Sequence, residues 1–334
     1  MPTSSIPSVS SVPKIELHVH LEGTVRPAEL LEIAARNRVD LPVDNVDDLA
    51  RLYTFTDFDH FIELWMMTTH VIQNEADFRQ VVVSYAEEAV AHGAVYIEGI
   101  FTPAERISGG ASWDEVFTGF CDGAVEAREK VGVEVRLTPD IPRSFGLDAA
   151  LQTVRYAGKY RDRGVVGVGL GGREAAFPPE PFEPAFRIAK DAGLGSVPHA
   201  GEAAGTESIR GAIDALQADR LRHGVRAVED PGLLRELAAR EIVCDVCPVS
   251  NLRTRVYDTL HAHPLPAMLE AGVLCSINTD DPAMFDTDLT REYEVAATLG
   301  CSAQAAFRAG VRGALCDEQT RAGLVAVLDG FDRV

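Results

Sequence analysis

Residues that can bind a metal or move a proton occur at four places in the 334-residue chain, each at the end of a short apolar run. The first place is His18-Val19-His20. On a strand, side chains alternate from face to face, so both imidazoles of this pair would project to the same side. Two imidazoles on one side form half of a typical zinc-ligand set, although such a pair is a weak signal by itself.

Three further places strengthen the signal: His199 with Glu202, then His223, then the pair Asp280-Asp281. A lone histidine is usually a structural polar residue, and Asp-Asp-Pro is typical of a turn. Four coincidences of this kind are harder to explain structurally. Three histidines and one aspartate would bind a catalytic zinc and leave a position for water, with the remaining acid and imidazole groups free to carry protons. The pattern therefore predicts metal-assisted hydrolysis.

The elements that carry these residues alternate between β-type runs and longer amphipathic stretches. We predict eight strands: 15–20, 94–101, 133–139, 165–170, 195–199, 220–224, 242–246 and 273–278. Eight βα units in a chain of this length predict an α/β fold, a parallel (β/α)₈ TIM barrel, in which the carboxyl ends of all strands meet at one rim. A doubly wound open sheet is the competing fold, but no glycine-rich phosphate loop follows the first strand.

One connection is unusually long, with roughly seventy residues between the first two strands where one crossover helix needs far fewer. We predict a helical insertion over about residues 26–92, with helices at 27–36, 58–71 and 76–92. Its apolar residues between Phe55 and Met66 fit either an ordinary core helix or a lid over the barrel mouth. The predicted organisation is a flexible segment over residues 1–12 and a single barrel domain over 13–334.

Composition limits the classes of partner. The chain is 46% hydrophobic and 25% charged, and its formal charge is −20. Such a charge disfavours nucleic acid and membrane surfaces, but it does not forbid a small anionic ligand. No apolar run approaches the roughly 20 residues of a membrane span. The N-terminal residues lack signal-peptide features and the six cysteines do not form a disulfide framework, so we expect a cytoplasmic protein. Cys244-x-x-Cys247 fits a buried pair better than a redox or zinc site.

Taken together, the motifs resemble the adenosine deaminase family of the metal-dependent amidohydrolase superfamily. The matching segments, in the family's order, are residues 16–23 (ELHVHLEG), 199–202 (HAGE), 223–224 (HG), 247–251 (CPVSN) and 279–282 (TDDP). They extend over the chain from about residue 13 to its end.

The resemblance implies specific roles for these residues. One Zn²⁺ per chain is expected on His18, His20, His199 and Asp280. Glu202 would meet the purine nitrogen N1, His223 would orient and deprotonate the water, Asp281 would face N7, and the backbone amide of Gly172 would meet N3. Asp280 is expected to be catalytic as well as a ligand, and His20, Glu22 and Phe58 are expected at the substrate.

The residue types suit this chemistry. Zinc lowers the pKa of a bound water toward about 7, and an imidazole beside it can take up a proton. Attack at C6 of a 6-aminopurine is assisted if Glu202 gives a proton to N1. Glu202 must then be protonated in the working enzyme, which requires a raised pKa. The products would be a 6-oxopurine and ammonia.

Two departures from the family pattern concern the substrate. Glu22 replaces the aspartate of typical adenosine deaminases, as in many bacterial members. The usual Ala-Gly-Asp-Glu after strand four becomes Gly171-Gly172-Arg173-Glu174. Arg173 is either a solvent-facing residue or a cation for an anionic 5′ substituent. Relatives that deaminate aminodeoxyfutalosine, which has a 5′ carboxyphenyl group, have a similar loop. Adenosine and a 5′-modified adenosine are therefore equal candidates, and free adenine is the third.

Alternatives from other classes are less well supported. Another zinc amidohydrolase would commonly need a lysine at the end of strand four, and Val165–Leu170 contains none. A non-catalytic binding protein of this fold would not need the complete set of ligands together with Glu202 and His223. Deaminases of RNA or DNA use a different His/Cys/Cys site. The sequence does not indicate an oligomeric state, and a small purine nucleoside is the predicted partner.

Overall fold

A closed barrel of parallel strands forms the centre of the computed structural model, which describes residues 12–331. The strands are β1 Lys14–His20, β2 Ala94–Phe101, β3 Glu134–Pro142, β4 Gly167–Gly171, β5 Gly195–Ser196, β6 His199–Ala200, β7 Arg220–His223, β8 Val243–Val246 and β9 Cys275–Ile277. Neighbours from β1 to β5 and from β6 to β9 pair in parallel, and a bridge between Val19 and Asp280 joins the last strand to the first. The predicted (β/α)₈ barrel is confirmed.

Strands β5 and β6 together occupy the fifth position of the barrel. The predicted fifth strand, 195–199, is interrupted at Pro198, whose nitrogen has no hydrogen to donate. The carbonyl of Pro198 still accepts a hydrogen bond from Arg222 N at 3.0 Å, so the path of the strand continues. The other strands follow the predicted positions within three residues at each end.

Helices surround the barrel and connect its strands. They are α1 Pro27–Asn37, α2 Val46–Leu52, α3 Phe58–Thr69, α4 Glu75–Ala91, α5 Pro103–Ser108, α6 Trp113–Val131, α7 Gly146–Lys159, α8 Glu183–Asp191, α9 Thr206–Asp214, α10 Pro231–Ala239, α11 Pro248–Arg253, α12 Leu265–Glu270, α13 Pro282–Phe285, α14 Leu289–Thr298, α15 Ala303–Gly313 and α16 Glu318–Phe331. Capping boxes at Asn74 and Ser112 fix the starts of α4 and α6, because each satisfies backbone N–H groups that the helix leaves free.

The predicted insertion between the first two strands is helical, with two differences from the prediction. A short helix, α2, was not predicted. Helix α4 packs against β2 and α6 and so serves as the crossover helix of the first βα unit. The extra material is therefore α1 to α3.

The ends of the chain lie outside the described range. The flexible segment predicted over residues 1–12 falls, except for residue 12, on residues that the structure does not describe, and the single-domain assignment stays a prediction. Among residues 12–331, no helix is long and apolar enough to cross a membrane.

A buried arginine joins several strands inside the barrel. The guanidinium of Arg220 donates to Asp245 at 2.5 Å, to Glu98 at 2.8 Å and to the carbonyl of Leu17 at 3.0 Å. These charged side chains are fully buried. A buried ion pair adds little net stability, but removing one partner leaves an uncompensated charge.

We expect Arg220→Leu to lower the free energy of unfolding by about 3–5 kcal/mol, because Glu98 and Asp245 would lose their shared cation. Urea denaturation measures this change. Arg187→Leu, at an exposed position of α8, is the control and should change stability by less than about 0.5 kcal/mol. Equal, small effects of the two substitutions would contradict this account.

Candidate active site

Three imidazoles and one carboxylate meet at the rim formed by the carboxyl ends of the strands. Nε2 of His199 lies 3.1 Å from Nε2 of His18 and 3.2 Å from Nε2 of His20. Oδ1 of Asp280 lies 3.3 Å from each of these two nitrogens of β1. Four ligands held tetrahedrally at about 2.0–2.1 Å from zinc are about 3.3 Å apart. The spacing of these four atoms therefore fits one divalent metal ion.

The protonation of the histidines also suits a metal. Nδ1 of His199 lies 3.1 Å from the carbonyl oxygen of Leu170. Because a carbonyl only accepts, Nδ1 carries the proton and Nε2 directs its lone pair into the cluster. Burial lowers the pKa of both His18 and His199 well below the ordinary value, which keeps both rings neutral. Neutral imidazoles and a carboxylate are the donors that zinc prefers.

Asp280 is held by an unusual backbone. Its φ is 66°, a left-handed value that is uncommon for residues other than glycine. Two backbone hydrogen bonds to β1 hold it there, from Asp280 N to the carbonyl of His18 at 3.1 Å and from His20 N to the carbonyl of Asp280 at 2.8 Å. Ser250 Oγ donates to Oδ2 at 2.6 Å, which leaves Oδ1 facing the histidines.

Two titratable groups, Glu202 and His223, lie beside the candidate metal-ligand cluster of His18, His20, His199 and Asp280. Oε1 of Glu202 lies 3.4 Å from Nε2 of His223, and this nitrogen lies 3.7 Å from Oδ2 of Asp280. Burial, with added repulsion from Asp280 and Glu174, raises the pKa of Glu202 well above its ordinary value. A raised pKa favours the protonated carboxyl, which the proton-donor role expected for Glu202 requires. Burial lowers the pKa of His223 to about 4.

The loop that carries Glu202 is fixed by Glu174. This buried carboxylate accepts hydrogen bonds from the backbone N–H groups of Gly201, Glu202, Ala203 and Ala204 at 2.5, 3.0, 2.8 and 2.9 Å. Glu174 ends the Gly-Gly-Arg-Glu segment, from which we singled out only Gly172 and Arg173. Its role depends on contacts across 27–30 residues, and local sequence carries no signal for them.

A cavity of about 320 Å³ opens above these groups, within the usual size range of small-molecule sites. One wall is helix α3, which contributes Phe58, Phe61, Ile62, Trp65 and Met66. The apolar face predicted for this segment thus lines the cavity, and its residues Phe55, Phe61, Leu64 and Trp65 are also buried in the hydrophobic core. The lid interpretation stays a prediction.

Trp65 also positions Asp281. Its indole Nε1 donates to Oδ1 of Asp281 at 2.7 Å. Burial, reinforced by the charge of Asp280, raises the pKa of Asp281 well above its ordinary value. Gly23 leaves room for this carboxyl, because a Cβ there would lie 1.7 Å from Oδ1.

Most of the predicted site residues line the cavity, and two do not. The lining includes His20, Phe58, Gly172, Arg173, His199, Glu202, His223, Asp280 and Asp281. His18 is fully buried and does not line the cavity. Glu22 is also buried, and its Oε1 accepts a hydrogen bond from Thr102 N at 2.8 Å. Its expected contact with substrate stays a prediction.

Glu105 lines the cavity and was not predicted. It lies on α5, directly after the end of β2, and burial raises its pKa to about 7. Its position after a strand end is a signal from which it could have been predicted, although it belongs to no motif.

Arg173 stands at the rim of the cavity with its side chain 42% exposed. Its guanidinium forms ion pairs with Asp59 and Glu63 of α3, each at 3.3 Å. Both carboxylates are largely exposed, so each pair contributes less than about 1 kcal/mol.

The Cys244-x-x-Cys247 pair is buried, as predicted, and all six cysteines are free thiols. Burial raises the pKa of both Cys244 and Cys247, which disfavours the reactive thiolate. Sγ of Cys247 lies 3.6 Å from Nδ1 of His18, behind the metal-ligand cluster.

Comparison with known proteins shows one consistent family. The family model described as adenosine deaminase matches residues 13–331. The chain is 52% identical over 324 residues to an aminodeoxyfutalosine deaminase of Acidothermus cellulolyticus, covering 95% of this chain and 91% of the relative. The crystal structure of an adenine deaminase from Arthrobacter aurescens superimposes with a TM-score of 0.92 at 30% identity, covering 97% of this chain and 100% of that one. An amidohydrolase from Burkholderia ambifaria, solved with bound zinc, gives a TM-score of 0.89 at 26% identity, covering 99% and 94%.

We expect His199→Ala to weaken zinc binding by more than about 100-fold. Loss of a residue that only hydrogen-bonds to a metal ligand typically lowers metal affinity about 10–100-fold, so loss of a ligand itself should lower it further. Competition titration with a chromophoric chelator measures the affinity. His70→Ala, at an exposed histidine of the chain, is the control and should bind like the unmodified protein. Unchanged zinc affinity in His199→Ala would show that the cluster is not the metal site.

Proposed function

The chain belongs to the adenosine deaminase family, and on this premise we propose that it hydrolyses the 6-amino group of an adenosine that carries an acidic aryl group at its 5′ carbon. The reaction adds water and releases ammonia and the 6-oxopurine. One observation carries the proposal. A single cavity joins the metal-ligand cluster and the protonated Glu202 to an apolar outer part that has a cation at its rim. Aminodeoxyfutalosine, after which the 52% identical relative is named, is a substrate of this class.

The metal-ligand cluster His18, His20, His199 and Asp280 is proposed to hold one zinc ion per chain. When bound, the ion supplies a Lewis acid that lowers the pKa of water from 15.7 to about 7. Support comes from the spacing and chemistry of the four donors and from the zinc-bound structural neighbour.

The chain's own residues would orient the purine and move its protons. Glu202, protonated and buried, donates to N1 as C6 becomes tetrahedral, so that negative charge does not accumulate on the ring. Asp281, whose pKa is also raised, can donate to N7. Gly172 lines the cavity, and its backbone amide would meet N3. His223 would hold the attacking water beside the cluster.

The outer part of the cavity indicates a substituent beyond ribose. Phe58, Ile62, Met66 and Phe177 present apolar surface there, and Arg173 stands at the same rim. An aryl ring suits the apolar surface, and a carboxylate on it suits the guanidinium. The weak ion pairs of Arg173 with α3 can exchange for such a ligand at little cost.

Adenine is the second candidate substrate, because the structural neighbour at TM-score 0.92 is an adenine deaminase. A free base would leave the outer aromatic surface and Arg173 without a role. The proposed partner is thus a small molecule rather than a polynucleotide, which the formal charge of −20 would repel. The cytoplasmic location stays a prediction.

We expect Glu202→Gln to keep zinc and lose at least about 1,000-fold in kcat, since an amide cannot deliver the proton to N1. Ammonia release at saturating substrate and metal content by mass spectrometry are the two measurements. Glu183→Gln, an exposed residue of α8, should keep both at the level of the unmodified protein. Turnover within a factor of ten in Glu202→Gln would exclude the assigned role.

We expect Arg173→Ala to lower kcat/KM for the carboxyaryl nucleoside by about 10–50-fold, or roughly 1.4–2.3 kcal/mol. For adenosine, which lacks the carboxylate, the loss should be less than about threefold. Steady-state kinetics on both nucleosides give this comparison.

The double variant Asp59→Asn/Glu63→Gln separates recognition from packing of α3. It removes the ion pairs but keeps the guanidinium, so the preference for the carboxyaryl substrate should persist. If the double variant and Arg173→Ala lose activity equally on both nucleosides, Arg173 only fastens α3 and does not recognise the substrate.

A further inference from the structure

A chain of three buried side chains leads from the outer side of the barrel rim to the proposed reaction site. Nε2 of His263 lies 3.2 Å from Oδ1 of Asn251. Nδ2 of Asn251 lies 3.2 Å from Nδ1 of His223. All three residues are at most 3% exposed. No part of the function proposed above uses His263 or Asn251.

The direction of these hydrogen bonds is set by a backbone amide at the outer end. The N–H of Leu265 donates to Nδ1 of His263 at 3.2 Å. A backbone N–H can only donate, so this nitrogen of His263 carries a lone pair. Burial lowers the pKa of His263 to about 4, so the ring is neutral and its proton is on Nε2.

The donor at His263 also sets the orientation of the Asn251 side-chain amide. Because Nε2 of His263 donates, the amide oxygen of Asn251 faces His263 and its NH₂ group faces His223. An amide nitrogen is only a donor. Nδ1 of His223 must then accept, and it cannot carry a proton without opposing the N–H of Asn251.

We infer that His263 and Asn251 hold His223 in the tautomer whose proton is on Nε2, so that His223 presents an N–H donor to the reaction site. In the described part of the chain, Nε2 of His223 has no hydrogen-bond partner. It lies 3.4 Å from Oε1 of Glu202 and 3.7 Å from Oδ2 of Asp280. The donor thus points at the space where an attacking water would sit.

If the proposed deamination is correct, the assigned tautomer changes the role of His223 in it. The family resemblance implies that His223 orients and deprotonates the water. In the tautomer assigned here, Nε2 already carries a proton, so the neutral ring orients the water oxygen by donating to it. His263 and Asn251 are positioning residues that act through His223.

Nitrogen NMR of the zinc-loaded protein labelled with ¹⁵N-histidine tests the tautomer directly, because protonated and lone-pair imidazole nitrogens resonate far apart. The signals missing from His223→Gln assign the ring. We expect a protonated Nε2 and a lone-pair Nδ1 for His223. A lone pair on Nε2 with the proton on Nδ1 would overturn the inference.

Asn251→Asp reverses the hydrogen bond, since a carboxylate accepts from Nδ1. We expect a protonated Nδ1 in the NMR spectrum, a fall of about 10–100-fold in kcat, and changes of less than about threefold in KM and zinc affinity. A merely structural role would leave the Nδ1 signal as in the unmodified protein, and that result would also overturn the inference.

The outer histidine offers a rescue experiment. His263→Gln keeps an N–H donor toward Asn251 and should retain the tautomer and at least about a third of kcat. His263→Phe removes the donor and should show loss of the single tautomer and a tenfold lower kcat. His261→Gln, at an exposed position two residues away, controls for the substitution. Equal kcat values and equal His223 spectra in His263→Gln and His263→Phe would contradict the inference that His263 acts on His223 through Asn251.

The outcomes separate this inference from the proposed function. If Asn251→Asp does not fold, as judged by circular dichroism, the spectrum of the unmodified protein still decides the tautomer. If the unmodified protein releases no ammonia from any 6-aminopurine, the proposed function fails, whereas the NMR result still confirms or overturns the assigned tautomer.

Discussion

Four candidate donor atoms, from His18, His20, His199 and Asp280, lie within 4.8 Å of one another in a buried site. The nitrogens of His18 and His20 are each 3.1–3.3 Å from the donor atoms of His199 and Asp280. Nitrogen lone pairs packed this closely repel each other unless a cation lies among them. The barrel holds them by bonding the last strand to the first at Asp280, with a left-handed backbone at that residue. Backbone strain at such a position persists only where surrounding contacts enforce it. The backbone contacts at Asp280 that close the barrel therefore also set the geometry of the metal-ligand cluster.

Groups around the metal-ligand cluster are each positioned by a specific buried partner. Glu174 holds the loop of Glu202 through four backbone amides, and Trp65 holds Asp281. Burial and neighbouring charge raise the pKa of Glu202, and burial lowers the pKa of His18 and His199. Burial therefore favours the neutral form of the histidines and the protonated form of Glu202 at the same time.

Sequence alone predicted the fold and the close approach of the residues at the strand ends, because strand periodicity and barrel topology place those ends together. The roles of these residues stay predictions. It was insufficient where position depends on contacts between distant segments. Glu174 and the pair Asn251–His263 belong to this class, and so does the burial of Glu22 outside the cavity lining. Glu105 was missed for another reason, since it follows a strand end but belongs to no motif. Helix α2 was missed because it is a short, charged helix with one buried residue, Leu49, too little for an apolar period to be visible.

The most direct test of the account is the kcat/KM for ammonia release by the zinc-loaded protein on a 5′-carboxyaryl adenosine such as aminodeoxyfutalosine, on adenosine and on adenine, with a chelated control. We expect the carboxyaryl nucleoside to exceed the other two by about 100-fold, which corresponds to roughly 2.7 kcal/mol of transition-state binding, and the chelated protein to be inactive. A preference for adenine or adenosine would contradict the substrate class. No ammonia from any of the three, with zinc bound in full, would contradict the deaminase itself.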